Sequence, residues 1–336
     1  MKKNKKFILL AIIVFLFLFF LYIFKFANHY PRKIESSYEK DYFGITYSKK
    51  YAEEIGLDWQ EAYLAMIDEL EVKNIRIPVY WDEIEKESGV FDFSDYDFLI
   101  VEGEKRGVNF ILNFGMRVAR WPECHFPTWL EINDKKNLED KTLRMLEVVL
   151  DHYKSYDSIS YWQLENEPLL DSFGVCPPSD YDFLKKELEL VKKIDSRPVI
   201  ISATGELSFW RKEVRIADIF GTTMYRVVYN PWLGYIKYPY SSGFYRLKAN
   251  LANLDLAKAF VIELQAEPWI PKESVASIYN INYQKSFNLE RFKANVQFAK
   301  NTKFQKVYLW GAEWWYFKHK LGGNSDYWNF AKTLFP

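Results

Sequence analysis

The sequence predicts an α/β protein: a (β/α)8 barrel preceded by one N-terminal transmembrane helix. Three observations point there. From residue 41 onward, short runs of β-branched and aromatic residues alternate with amphipathic helical segments, which implies a parallel sheet with helices outside it. Eight such units fit between residues 41 and 336, and eight units of that size close most simply into a barrel. No G-x-G-x-x-G turn follows any strand, which removes the main argument for a doubly wound sheet.

The elements follow in order. Asp41–Tyr47 reads as the first strand. Asp58–Lys73 reads as a helix with Asp58 at its N-cap, because Trp59, Ala62, Tyr63, Met66, Ile67 and Leu70 share one face. Strands at Asn74–Tyr80 and Val108–Phe114 flank a helix at Ser94–Arg106. Leu143, Leu146 and Leu150 align along a helix at Leu138–Tyr153, which leads to a strand at Ile159–Glu165. Leu184, Leu188 and Val191 align along Asp180–Ile194, before a strand at Pro198–Ala203. A weak helix near Phe209–Val214, a strand at Ala217–Met224 and a helix at Gly243–Asn253 come next. The last units are a strand at Ala259–Leu264, a helix at Leu289–Asn301, a strand at Lys306–Trp310 and a helix at Ser325–Leu334.

The N-terminus differs from the rest. Lys2, Lys3, Lys5 and Lys6 precede Phe7–Phe24, 18 residues without a charge. As a helix this run spans roughly 27 Å, close to the ~30 Å hydrocarbon core of a bilayer. The lysines favour a cytoplasmic N-terminus and place the remainder outside. A cleaved signal peptide, with secretion, is the alternative, but the exit Lys25-Phe26-Ala27-Asn28-His29-Tyr30 makes a poor small-x-small cleavage site. The chain therefore divides into an anchor at 1–28, a polar tether at 29–40 and one folded domain at 41–336.

Composition narrows the function classes. Lys+Arg and Asp+Glu are both 45, but residues 1–28 hold five lysines and no acid, so the remainder is mildly acidic. That balance argues against nucleic-acid binding. Aromatic residues make up 19% of the chain, with 12 Trp, 24 Tyr and 27 Phe, which excludes a disordered protein. Part of that Trp and Tyr content is expected at the barrel mouth. Two cysteines exclude a disulfide-framework protein and a four-cysteine zinc site. The four histidines have no metal-ligand spacing, so neither metal nor cofactor is expected.

A barrel of this type carries its chemistry at the C-terminal strand ends. Strand two ends near Arg76 and Trp81. Strand three leads into Arg117 and then Arg120-Trp121-Pro122-Glu123-Cys124-His125. Strand four ends Gln163-Leu164-Glu165-Asn166-Glu167-Pro168, and strand six at Tyr225-Arg226. Strand seven ends Glu263-Leu264-Gln265-Ala266-Glu267, and strand eight Trp310-Gly311-Ala312-Glu313. Carboxylates at strands four and seven face each other across a barrel mouth. Such a pair divides into a protonated acid and an ionised nucleophile, the division a retaining glycosidase needs. Glu165 is the in-motif rival of Glu167. Glu267, four residues on and of the same strand parity, is the rival of Glu263.

Asn166-Glu167-Pro168 at the end of a fourth strand resembles the signature of the clan A retaining glycoside hydrolases, and the resemblance covers nearly the whole of residues 41–336. It implies a (β/α)8 enzyme acting on an oligo- or polysaccharide, with Glu167 as acid/base and Glu263 as nucleophile. It further implies that Asn166 contacts the sugar 2-hydroxyl, Arg76 lies near the nucleophile, Tyr225 hydrogen-bonds it, and Trp310 forms a sugar platform. The stretch Arg120–His125 departs from the cellulase-like branch, lacking its His, and looks closer to the β-galactosidase-like branch with its Pro/Trp-rich loop. Trp121, Glu123 and His125 are expected substrate contacts, and Trp232 is expected in an aromatic subsite loop over Tyr229–Tyr245. Cys124 and Cys176 lie at one end of the barrel and either pair or remain thiols. A membrane-anchored transglycosidase and a silent glycan-binding barrel are the alternative functions.

Overall fold

The computed structural model describes residues 41–270 and 283–335, together with residue 14. Apart from residue 14, the expected membrane segment and tether lie outside the described residues. Among the described residues, no helix is long and apolar enough to cross a membrane.

Ten strands are described: β1 Phe43–Thr46, β2 Asn74–Pro78, β3 Asn109–Phe114, β4 Ile159–Leu164, β5 Val199–Ala203, β6 Ile219–Met224, β7 Val227–Asn230, β8 Gly234–Lys237, β9 Ala259–Gln265 and β10 Lys306–Trp310. Eight of them close into a parallel barrel in the order β1-β10-β9-β6-β5-β4-β3-β2. The expected (β/α)8 architecture is therefore present. β7 and β8 form a separate antiparallel hairpin within a stretch expected as an aromatic loop.

The helices are α1 Lys49–Glu54, α2 Trp59–Asp68, α3 Trp81–Ile84, α4 Ser94–Glu104, α5 Lys135–Tyr153, α6 Tyr181–Ile194, α7 Arg211–Ile216, α8 Ser242–Leu251, α9 Leu289–Lys300, α10 Ala312–Lys320 and α11 Asp326–Lys332. α1 and α3 have six and four residues, too few to show a 3.6-residue period, and the sequence reading passed over both. It also missed α10, whose AEWWYFKHK segment is buried at successive positions and shows no polar face. α2 starts where the Asp58 carboxylate accepts the Gln60 and Glu61 N–H groups at 2.9 and 3.0 Å.

Two apolar layers build the body. The larger lies between strands and helices, where outward-facing Ile75, Ile77, Leu112, Val261 and Leu264 meet the helices. The smaller fills the barrel interior with Ile111, Ile200, Phe260, Ile262 and Tyr308. Above it the interior turns polar, with Arg76, Asn113, Gln163 and Ser202 all buried. The aromatic excess goes mainly to packing: Trp81, Trp162, Trp210, Trp314 and Trp315 are each under 2% exposed. These five tryptophans belong to the packed body rather than to the mouth.

One irregularity positions the site. Opposite β6, Thr222 pairs with Val261 and Thr223 with Glu263; opposite β10, Val307 pairs with Val261 and Leu309 with Leu264. β9 thus carries one extra residue, a β-bulge at Ile262. Phe260 and Ile262 both point inward. Strict alternation would then turn Glu263 outward. The bulge shifts the phase by one and aims Glu263 into the barrel.

Asp58→Ala removes the two capping bonds of α2 and is expected to lower stability by about 1 kcal/mol. The measurement is the urea midpoint at unchanged slope. An unaltered midpoint would show that the cap contributes nothing.

Candidate active site

The site starts from a buried cation. Arg76 on β2 has no exposed surface. Its Nη1 donates to Glu263 Oε1 at 2.6 Å and its Nε to Gln163 Oε1 at 2.7 Å. Its Nη2 donates to Asn113 Oδ1 at 3.1 Å and to Asn166 Oδ1 at 3.0 Å. The second oxygen of Glu263 accepts from the Tyr225 hydroxyl at 2.9 Å. Four of the expected residues, from β2, β4, β9 and the end of β6, are therefore one hydrogen-bonded unit. Gln163 and Asn113 belong to it too. The sequence reading missed them as site residues, although polar side chains within the apolar runs NFILNF and ISYWQL were a visible signal.

Glu167 lies beside this unit without joining its salt bridge. Its Oε1 accepts from Thr223 Oγ1 at 2.7 Å, and Thr223 in turn accepts the Gly205 N–H at 3.3 Å, which fixes its hydroxyl direction. Thr223 is the register partner of Glu263, so this hydroxyl holds Glu167 against the neighbouring strand. Burial, and then the negative charges of Glu263 and Glu123, push the Glu167 carboxyl up to about 8. The chain turns sharply here: Glu165 and Glu167 have φ of 57° and 46°, a left-handed conformation costing about 1–2 kcal/mol per residue. The pairs described below hold it in place.

The two rivals have other partners. Glu165 accepts the Met116 and Arg117 N–H groups at 2.8 and 2.6 Å, tying the end of β4 to the loop after β3. Its carboxylate occupies the space where a Cβ on Gly115 would stand, 2.3 Å from Oε1. Glu267 pairs with Arg120 at 2.7 Å rather than with Arg76.

The remaining expected residues divide. Glu123 accepts from Asn166 Nδ2 at 3.1 Å, and with Arg76 on Oδ1 this sets the orientation of the Asn166 amide. Burial first, with a contribution from Glu263, pushes Glu123 up to about 7. Cys124 and Cys176 form a disulfide that joins the loops after β3 and β4. His125 is buried against Tyr80 and bonds the Arg120 carbonyl at 3.1 Å, so it supports the loop. Burial lowers its pKa to about 4. Trp121 packs edge-on to Phe173, Phe173 meets Trp269, and Trp269 meets Tyr225, making an aromatic wall along one side of the mouth. Trp310 is 6% exposed, and its ring carries the Arg120 guanidinium 4.2 Å from the centroid. Trp232 stands on the tip of the β7–β8 hairpin, 92% exposed, and is not brought to the cluster. Glu206, absent from the sequence reading, accepts the Tyr225 N–H at 3.1 Å and the Tyr245 hydroxyl and so holds Tyr225 in place.

No protein-family model and no curated protein matches this chain. Solved structures of similar fold include a GH10 endoxylanase retrieved from a sugarcane soil metagenome (TM-score 0.55, 14% identity, 82% of this chain and 87% of that one). A GH5_18 protein from Bifidobacterium longum subsp. longum gives TM-score 0.56 at 12% identity over 80% of this chain and 69% of its own. A β-galactosidase from the psychrophilic Marinomonas ef1 gives 0.54 at 12% over 80% and 53%. At these identities the likeness is one of fold.

Burial raises Glu123, Glu165, Glu206 and Glu313 to about 7 and Glu167 to about 8. The folded chain therefore holds these protons more tightly than the unfolded one. Their contribution to stability is complete below the ordinary carboxylate range and is lost as pH rises through about 7 to 8. The melting temperature at constant ionic strength is expected to fall between about pH 5 and about pH 8. A flat or rising Tm over that interval would contradict these assignments.

Proposed function

We propose that the protein is a retaining β-glycoside hydrolase, with Glu167 as acid/base and Glu263 as nucleophile. The observation that carries this is the contrast between two adjacent buried carboxyl groups. Glu263 accepts from Arg76 and Tyr225, one donor on each oxygen. Glu167 has a single hydroxyl donor, no cation on its oxygens, and a carboxyl pushed up to about 8. Glu263 is thus the carboxylate of the pair and Glu167 the proton carrier.

The steps follow from those roles. Glu167 gives its proton to the glycosidic oxygen as the bond to the anomeric carbon breaks. A Glu263 oxygen attacks that carbon from the opposite face and forms a glycosyl ester. Glu167, now ionised, takes a proton from water as the water oxygen attacks the same carbon. Glu263 leaves, and both carboxyl groups regain their starting states. Tyr225 and Arg76 hold the attacking carboxylate still, and Asn166, its amide fixed by Arg76 and Glu123, presents its remaining N–H to a sugar hydroxyl. The fold-level likeness to glycoside hydrolases supports the reaction class; the sequence resemblance supports the residue roles.

We place the catalytic domain on the extracytoplasmic side of a membrane. Support comes from the lysine-flanked uncharged run at 7–24 and from the Cys124–Cys176 disulfide, a bond that persists in oxidising compartments.

Glu167→Gln and Glu263→Gln are each expected to lower turnover of an aryl β-glycoside by at least about a thousandfold. The alkaline limb of the wild-type kcat/KM profile should follow the Glu167 proton near pH 8. With Glu263→Ala, added azide should yield a glycosyl azide of inverted anomeric configuration. Wild-type turnover in both glutamine variants would remove the assignment.

A further inference from the structure

Arg120 makes contacts that the proposed reaction does not use. It lies in the loop after β3 with φ of 105°, yet its guanidinium reaches the opposite rim of the mouth. There it sits 3.5 Å from the ring centroid of Tyr51, which follows β1, and 4.2 Å from that of Trp310, which ends β10. Nη1 donates to Glu267 after β9 at 2.7 Å, and Nη2 lies 3.6 Å from Glu313 Oε2 in α10. A cation held between two aromatic faces and two carboxylates, 13% exposed, is a built feature of the rim. Its loop is anchored by the disulfide at Cys124 and by the His125 bond to the Arg120 carbonyl.

The place matters more than the strength. If Glu167 protonates the leaving oxygen, the leaving group lies on the β4 side. The sugar ring attacked by Glu263 then extends away from β4. In the barrel order, the strand opposite β4 is β10. Any further sugar on the glycone side would have to pass over Trp310, where Arg120 is stacked. The two carboxylates around it are buried and turned toward the cation: Glu313 Oε2 lies 3.6 Å from Nη2, and the Tyr51 hydroxyl faces the Glu267 carboxylate. Arg120 is already answered by Glu267, so it offers no free cation to an acidic sugar.

We infer that Arg120, gripped by Glu267 between Tyr51 and Trp310, walls off the glycone side, so that the chain removes single uncharged sugar residues from non-reducing ends. This rests on the proposed reaction and adds the substrate class: terminal, neutral β-linked residues, with Glu267 as the residue that positions Arg120.

The test uses the full chain and a panel of 4-nitrophenyl β-monosaccharides, neutral and acidic, with the matching β-disaccharides and their 4-O-methyl-capped forms. Expected are monosaccharide products only, and kcat/KM on capped or acidic substrates at least about tenfold below the matching free, neutral ones. Arg120→Ala should raise the ratio of capped to uncapped kcat/KM at least about tenfold. Glu267→Gln, which keeps the side-chain volume but removes the charge that grips Arg120, should shift the capped-to-uncapped ratio in the same direction as Arg120→Ala. Direct release of disaccharide units by the wild type, or an unchanged ratio in a folded Arg120→Ala chain, would overturn the wall. If no substrate turns over, the reaction assignment fails, and the wall is read separately by saturation-transfer NMR on the Glu167→Gln chain. Contact confined to the non-reducing residue of a disaccharide supports it, and equal contact with a methyl-capped residue overturns it.

Discussion

A guanidinium with no access to water dictates most of what surrounds it. Burying an unpaired cation costs several kcal/mol, so Arg76 must find partners inside the barrel. Asn113, Gln163 and Asn166 present their carbonyl oxygens, and Glu263 supplies the charge. For Glu263 to do so, β9 has to break its alternation at Ile262. The residue that neutralises Arg76 is also the proposed nucleophile, so structural and chemical demands fall on one carboxylate. Removing its charge leaves a buried cation unanswered; glutamine keeps an oxygen to accept from Arg76 Nη1, which alanine does not.

The same interior separates two carboxyl groups of one residue type into different roles. Glu263 meets a cation and a phenol. Glu167, the next strand-end acid across the mouth, meets a threonine hydroxyl and the field of its neighbours. Behind them, the loops after β3 and β4 are bound together by Glu165 on two backbone N–H groups, by Glu123 on Asn166 and by the Cys124–Cys176 bond. This second tier holds the left-handed turn that presents Asn166 and Glu167, and it carries Arg120 out to the far rim.

The alternation of strand and helix and the barrel were legible in the sequence from local periodicity; the set Arg76, Asn166, Glu167, Tyr225 and Glu263 was expected from the resemblance to clan A glycoside hydrolases, and the structure draws these residues together at the strand ends. The orientation of Glu263 was not legible: with Phe260 and Ile262 inward, parity alone would turn it out, and only pairing with β6 and β10 reveals the bulge. The partners of Glu165 and Glu267 were likewise hidden, since both are acids at the correct strand ends and only contacts across the mouth distinguish them. The placement of His125 in a loop-supporting bond and of Trp232 on a hairpin was hidden for a related reason. A loop residue's type says little about whether its side chain turns toward the site, and Trp232 went to the tip of a hairpin whose turn residues, Asn230-Pro231 and Gly234, were visible in the sequence. The tryptophans showed the same limit, since core packing and sugar stacking draw on the same residue.

The account's central claim is that Glu263 forms a covalent bond to the sugar while Glu167 moves the proton. The most direct measurement is peptide mass spectrometry on the full chain after reaction with a panel of 2-deoxy-2-fluoro-β-glycosyl fluorides. The 2-fluorine slows both formation and breakdown of the glycosyl ester, and the fluoride leaving group speeds formation, so the ester accumulates. The account predicts a single glycosyl adduct on Glu263, at wild-type Glu167. An adduct on Glu267 or Glu167, or turnover of the parent sugar without any adduct, would contradict it.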